Sequence, residues 1–178
     1  PYLAANFNNV NLVAGKKKNK AALQKEMGLP VKEDTFLVGI VSRMTDQKGF
    51  DLVAYMMDEM LSTLDIQFVV LGTGEDRYQD MFRLFQNKYP DKLCANIGYS
   101  EDYAHRIYAS CDAFLMPSLF EPCGLSQMMA MRYGTVPIVR ETGGLKDTVE
   151  AYNEYEHTGT GFSFSNYNAH EMFFVLKY

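Results

Sequence analysis

The sequence has no basic excess. Seventeen Lys and Arg stand against 22 Asp and Glu, a formal net charge of −5. A nucleic-acid-binding surface normally shows the opposite balance, so no nucleic-acid partner is expected. An anionic small ligand stays open, because a few local cations can hold one. Cysteine is scarce and odd in number: Cys94, Cys111 and Cys123 fit neither a zinc spacing nor a redox Cys-x-x-Cys. Cys94 and Cys111 fall in apolar text and read as buried free thiols. A reducing, cytoplasmic setting follows as the expectation. The three histidines, His105, His157 and His170, are scattered, with no ligand partner three or four residues on. No metal site is therefore expected. Runs of about 18 or more apolar residues are missing, and so is a signal-peptide pattern. No spanning helix and no membrane partner are expected. The chain opens PYLAANFNNV without an initiator methionine and stops in FFVLKY, inside an apolar run. It is expected to be a piece of a longer protein, with residues 1–178 forming one domain.

What is present is ordinary for a globular protein: 47% hydrophobic and 22% charged residues, 13 Gly and 6 Pro. The length allows a sizeable core. The first 35 residues are weakly patterned. Asn-rich text leads to GKKKNK and then to a helix signal, NKAALQKEMG (19–28), closed by Gly28. The lysine run reads as a solvated patch rather than a site.

A strand–helix rhythm follows. FLVGIV (36–41), QFVVLG (67–72), KLCANIG (92–98), AFLMPS (113–118) and VPIVR (136–140) are near-continuous apolar runs. Such runs suit strands covered on both faces. Between and after them lie helix signals at about 49–61, 75–89, 101–111, 125–134 and 145–152. The tail, HTGTGFSFSNYNAHEM, reads as a turn-rich loop followed by a helix start. Alternating strands and helices imply an α/β fold, Rossmann-like and doubly wound, with a mostly parallel sheet. Ligands bind such sheets at the carboxyl ends of the strands. There the loops are SRMTDQKG, GTGED, GYSED, SLFEPCG and RETGG.

Each loop has its own chemistry. Arg43 and Lys48 lie on a loop leading into a helix. Two cations with free backbone N–H groups would suit a diphosphate; alternatively both are solvated, or Arg43 pairs with Asp46. Gly143 and Gly144 let the RETGG backbone approach a ligand closely, or simply make the turn. In GTGED the third glycine of a dinucleotide fingerprint would fall on Arg77, so that motif fails, and no Walker loop exists. Gly72 and Gly74 read as a tight turn. Tyr99, at a strand end, either stacks on a base or sugar or is packing. Glu121 is a lone carboxylate where the fourth strand stops. With Glu141 it would make a hydrolase pair, unless Glu141 is only a surface charge.

Taken together, SRMTDQKGFDLV, LGTGEDRYQDMFRLF and NIGYSEDYAHRIYASCDAFLMPSLFEPCGLSQMMAMRYGTVPIVRETGGLKDTV resemble the glycogen and starch synthase family of retaining glucosyltransferases. The resemblance runs from about Asn19 to about Ser165 and is most diagnostic from Pro117 to Val149. It implies the carboxyl-terminal domain of a GT-B enzyme, the half that holds most of the nucleotide. The amino-terminal domain, with its acceptor-side residues and a catalytic-site histidine and aspartate, would be the missing partner. The implied donor is ADP-glucose and the implied acceptor an α-glucan, with no metal or other cofactor. The resemblance carries over residue by residue. Arg43 and Lys48 would bind the donor diphosphate and steady the leaving group, and Tyr99 would stack on adenine. Glu121 would contact the transferred glucose. Cys123, Gly124, Leu125 and Ser126 would line the sugar and phosphate side, and Thr142 and Gly143 would close over the nucleotide. Many retaining GT-B enzymes carry a second Glu eight residues after the first, holding the ribose. Here that position is Met129, as in the glycogen and starch synthase branch. The expected fragment would not elongate glucan alone. Alternatives are a stand-alone nucleotide-sugar binding module, or a related glycosyltransferase with another donor or acceptor.

Overall fold

A computed structural model describes residues 3–178; the first two residues of the expected 1–178 domain lie outside it. The chain runs through α1 (Leu12–Glu26), β1 (Phe36–Val41), a 3-10 turn (Asp46–Lys48), α2 (Phe50–Thr63), β2 (Ile66–Gly72) and α3 (Asp76–Lys88). It continues through β3 (Leu93–Ile97), α4 (Glu101–Ser110), β4 (Ala113–Met116), α5 (Ser126–Arg132), β5 (Val136–Arg140), α6 (Gly143–Thr148), β6 (Phe162–Phe164) and α7 (Ala169–Lys177). Six parallel strands form one sheet in the order β3-β2-β1-β4-β5-β6.

The apolar runs are continuous because successive side chains enter different layers. In β2, Ile66, Phe68 and Val70 join the core beneath α2, α3 and α7, while Val69 and Leu71 join the core beneath α1, α4 and α5. β1 divides likewise, with Val38 and Ile40 in the first core and Leu37 in the second. The doubly wound α/β expectation holds. Strand order reverses between β1 and β4, which leaves a crevice at their carboxyl ends.

Three local readings change. The first helix begins at Leu12, seven positions before the signal at Asn19, and takes in the lysine run. Lys17 and Lys18 are exposed, but Lys16 turns inward. Its Nζ donates to Ala109 O (3.0 Å), Tyr133 O (3.3 Å) and Thr135 Oγ1 (2.7 Å). Burial lowers its pKa to about 8. The tail loop contains a sixth strand, β6, too short at three residues to announce itself. Finally, Gly72 is the last residue of β2 and Gly74 pairs with Met44 in a bridge, so neither sits in a turn of its own. They let the β2 end lie against the backbone of Ser42 and Met44, where a Cβ would overlap. Among the described residues, no helix is long and apolar enough to cross a membrane.

Candidate functional site

The crevice is built by the loops that leave β1 and β4. They touch along their backbones. Leu119 N donates to Gln47 O (2.9 Å). Gly49 has φ 81°, and a Cβ there would run into the Pro117 carbonyl. A glycine is thus required at this position twice over, by its dihedral and by the approach of the other loop. The seam brings the last residue of the 3-10 turn, Lys48, opposite Glu121.

Lys48 Nζ lies 2.6 Å from Glu121 Oε2, with side chains only 18% and 9% exposed. Ser118 Oγ donates to the same carboxylate oxygen at 3.3 Å. The lone carboxylate at the end of the fourth strand therefore has a partner. A salt bridge this well shielded is stronger than a surface pair, yet each ion has given up water to make it.

Arg43 behaves differently. It is exposed and makes no side-chain hydrogen bond or ion pair among the described residues. The alternative pairing with Asp46 is not realised. Asp46 instead meets Arg77 (2.7 Å) and accepts from the Tyr78 hydroxyl, and these two bonds, Tyr78 first, hold its carboxyl below the usual range. The expected free N–H groups of this loop are largely spent inside it. Lys48 N donates to Thr45 O, Gly49 N to Asp46 O and Phe50 N to Thr45 O. The two cations, rather than the backbone, are what the loop offers an anion.

A third loop closes the site from behind. Gly144 N donates to Glu121 O (3.0 Å) and Pro122 O (3.1 Å). Gly143 has φ 44°, and a Cβ on it would collide with Glu121 O. Gly143 and Gly144 thus pack on the Glu121 backbone, and Thr142, just before them, caps α6, its carbonyl accepting from Leu145 N at 3.0 Å. Glu141 faces the other way, accepting from Ser163 Oγ (2.9 Å) and Ser165 Oγ (3.2 Å). It does not line the pocket, so the carboxylate pair read as a hydrolase alternative is absent.

The pocket between the first two loops holds about 330 Å³. Six of the sequence-expected residues line it: Arg43, Lys48, Glu121, Gly124, Leu125 and Ser126. Four do not. Gly143 supports it, as described, and Thr142 stands at the N-terminus of α6. Cys123 is exposed, and its carbonyl, not its thiol, faces the Gly144 loop. Tyr99 stands 76% exposed after β3. The pocket wall on that side is held by Tyr108, whose hydroxyl donates to Ser126 Oγ at 3.2 Å.

Sequence reading missed Arg140 and Tyr167. Arg140 ends β5 and donates to the carbonyls of Ser118 (2.8 Å), Leu119 (2.5 Å) and Ser165 (3.2 Å). Its position at a strand end was the only available signal, because its acceptors are backbone atoms. Gln127, fully buried, likewise holds the loop by donating to Gly124 O (2.9 Å) and Thr148 Oγ1 (3.0 Å). Among the described residues no group of three or more His, Cys, Asp or Glu side chains is placed to hold a metal ion.

With this geometry in hand, the comparisons are specific. The family model for glycosyl transferases group 1 matches residues 20–173. Glycogen synthase from Lachnospira eligens is 67% identical over 173 residues, covering 97% of this chain and 36% of that protein. Glycogen synthase from Lachnoclostridium phytofermentans is 56% identical over 178 residues, covering 100% of this chain and 37% of that protein. The catalytic domain of starch synthase IV from Arabidopsis thaliana, solved bound to ADP and acarbose, superposes with a TM-score of 0.89 at 37% identity, covering 99% of this chain and 37% of that one. The chain thus spans little more than a third of the length of these relatives.

Proposed function

This chain belongs to the glycosyl transferases of group 1, and we propose that it is the donor-binding domain of a glycogen synthase. The whole protein would move glucose from ADP-glucose to the non-reducing end of an α-1,4-glucan, with retention of configuration. The observation that carries this is the pocket at the strand switch, where an open Arg43 and a shielded Lys48–Glu121 pair face one cavity.

In this reading Arg43 and Lys48 take the diphosphate. Their charge offsets what develops on the leaving phosphate as the glycosidic C–O bond breaks, which is electrostatic stabilisation by preplaced groups. Glu121, freed from Lys48, accepts from hydroxyls of the transferred glucose and fixes the sugar for attack. The acceptor would attack from the face the diphosphate leaves, and the leaving phosphate would help take its proton. Gly124, Leu125 and Ser126 form the wall beneath sugar and phosphate, Thr142 and Gly143 close over the nucleotide, and Tyr99 offers its exposed ring to adenine. The exposed apolar side chains of Phe120 and Leu125 at the rim favour a second domain closing over the site. That domain would supply the acceptor side, so this chain alone would bind donor without elongating glucan. A reducing, cytoplasmic setting belongs to the same proposal, supported by three free thiols.

Calorimetric titration of the chain with ADP and UDP tests this, with Lys48→Ala as control. Saturable ADP binding that weakens for UDP and collapses in Lys48→Ala is expected. ADP binding unchanged by Lys48→Ala would overturn the assignment of the site.

A further inference from the structure

The turn carrying Glu121 poses a mechanical problem. Leu119 and Phe120 are 46% and 56% exposed, so hydrophobic burial does little to hold Ser118–Phe120 in place. Yet Glu121, the next residue, is buried at the pocket wall. Backbone bonds from Leu119 N to Gln47 O and from Gly144 N to Glu121 O hold the turn at two points, and a side chain grips its remaining carbonyls.

We propose that Arg140, seated on Tyr167, is a positioning residue that holds Glu121 at the height where it meets the sugar. This rests on the donor-site reading above. Arg140 is a cation with no ion pair among the described residues. Its donors go instead to three backbone carbonyls: Nε to Ser118, Nη2 to Leu119 and Nη1 to Ser165. Two of these are consecutive residues of the turn, gripped by one rigid planar fork. A charged donor makes stronger bonds to carbonyls than a neutral one does, and the planar group fixes direction as well as distance.

The fork is itself placed. The guanidinium carbon lies 5.7 Å from the centre of the Tyr167 ring. The Tyr167 hydroxyl donates to the Asp51 carboxylate, and the Asp46 carbonyl oxygen lies 3.1 Å away. Asp46 opens the 3-10 turn that ends in Lys48. One brace therefore reaches both loops: Arg140 holds the turn before Glu121, and Tyr167 is tied to Asp51 in the first turn of α2, three residues past Lys48. It comes from β5 and from the β6–α7 connection, neither of which lines the pocket.

The test is calorimetry on this chain with ADP and ADP-glucose as probes. The ratio of the two affinities isolates the sugar contact. Glu121→Gln sets the size of that contact and is expected to lower the ratio by about tenfold, the scale of one hydrogen bond to a charged acceptor. Arg140→Met is expected to lower the ratio by about three- to tenfold, while ADP alone changes by less than about threefold, because the two cations proposed for the diphosphate, Arg43 and Lys48, stand on the other loop. Arg140→Lys keeps the charge but cannot fork across two carbonyls, so it recovers part of the ratio and carries the test if Arg140→Met does not fold. Tyr167→Phe is expected to weaken ADP and ADP-glucose together, because its hydroxyl holds Asp51, in the helix that the Lys48 turn runs into. A merely structural brace would lower the melting temperature of the Arg140 variants and leave the ratio at its original value. That result overturns the positioning role and leaves the donor reading standing. If the unaltered chain binds neither nucleotide, the donor reading fails and the positioning role falls with it.

Discussion

Lys48 and Glu121 neutralise each other across the mouth of the pocket, Nζ to Oε2 at 2.6 Å, with Ser118 on the same oxygen. The cation proposed for the diphosphate is thus already occupied by the carboxylate proposed for the sugar. Donor binding has to exchange that contact. Glu121→Gln should therefore bind ADP more tightly than the unaltered chain, by about three- to tenfold, because a neutral amide competes less well for Lys48. Calorimetry checks this, and ADP affinity that is unchanged or weaker would show that no exchange occurs.

The two cations should separate in a melting experiment. Arg43 makes no side-chain hydrogen bond or ion pair among the described residues, so Arg43→Gln should weaken ADP while leaving stability within about 0.5 kcal/mol. Lys48→Met strands a shielded carboxylate and should cost about 1–3 kcal/mol, between the values for surface and buried pairs. Denaturant titrations of the two variants measure the difference. Equal stability loss would mean that the Lys48–Glu121 pair is not held in solution.

Thiol reactivity should follow burial. Cys111 is fully buried, and desolvation drives its pKa far up, while Cys94 is half-buried and raised for the same reason. Cys123 is exposed. A thiol reagent at neutral pH should modify Cys123 rapidly and the other two only on unfolding, because the thiolate is the nucleophile. Prior saturation with ADP-glucose should slow the reaction at Cys123, which sits beside the residues proposed to line the sugar. Mass spectrometry of the labelled chain reads both outcomes.

Lys16 gives the fold a pH signature. Burial holds its folded pKa near 8, below the ordinary lysine value of 10.5. Between those values the unfolded chain holds a proton that the folded chain lacks, so stability rises with pH. Below about pH 8 both states are protonated and the full cost of burying the charge is present. Relative to Lys16→Met, the unaltered chain should gain about 1–3 kcal/mol between pH 8 and pH 10.5, reduced by the side chain's partial exposure. Paired urea titrations at the two pH values check this; a flat difference would place the amine in solvent.

The central elements were legible because their signals are local. FLVGIV and VPIVR span β1 and β5 as they stand. An apolar run bounded by glycine and charge suits a strand buried on both faces, whatever surrounds it. β6 was not legible, since FSF is too short for periodicity and becomes a strand only by pairing with β5. The inward turn of Lys16 was hidden for a related reason: its acceptors lie near residues 109 and 133–135, about a hundred positions away. Six of the ten site residues met at one pocket because all six follow β1 or β4, the adjacent strands between which the strand order reverses.

Composition and order alone therefore settle much of this protein: an α/β sheet, a row of loops at its carboxyl edge, and charges on those loops in positions that resemble those of glycogen and starch synthases. The partners of those charges were decided by the tertiary structure. Lys48 meets Glu121 across 73 residues of chain, and Arg140 meets Ser118 and Leu119 through carbonyl oxygens that every residue possesses. Sequence specifies which side chains can donate and accept. Which of them pair depends on backbone paths that bring distant loops within about 3 Å, and those paths are set by strand order and packing.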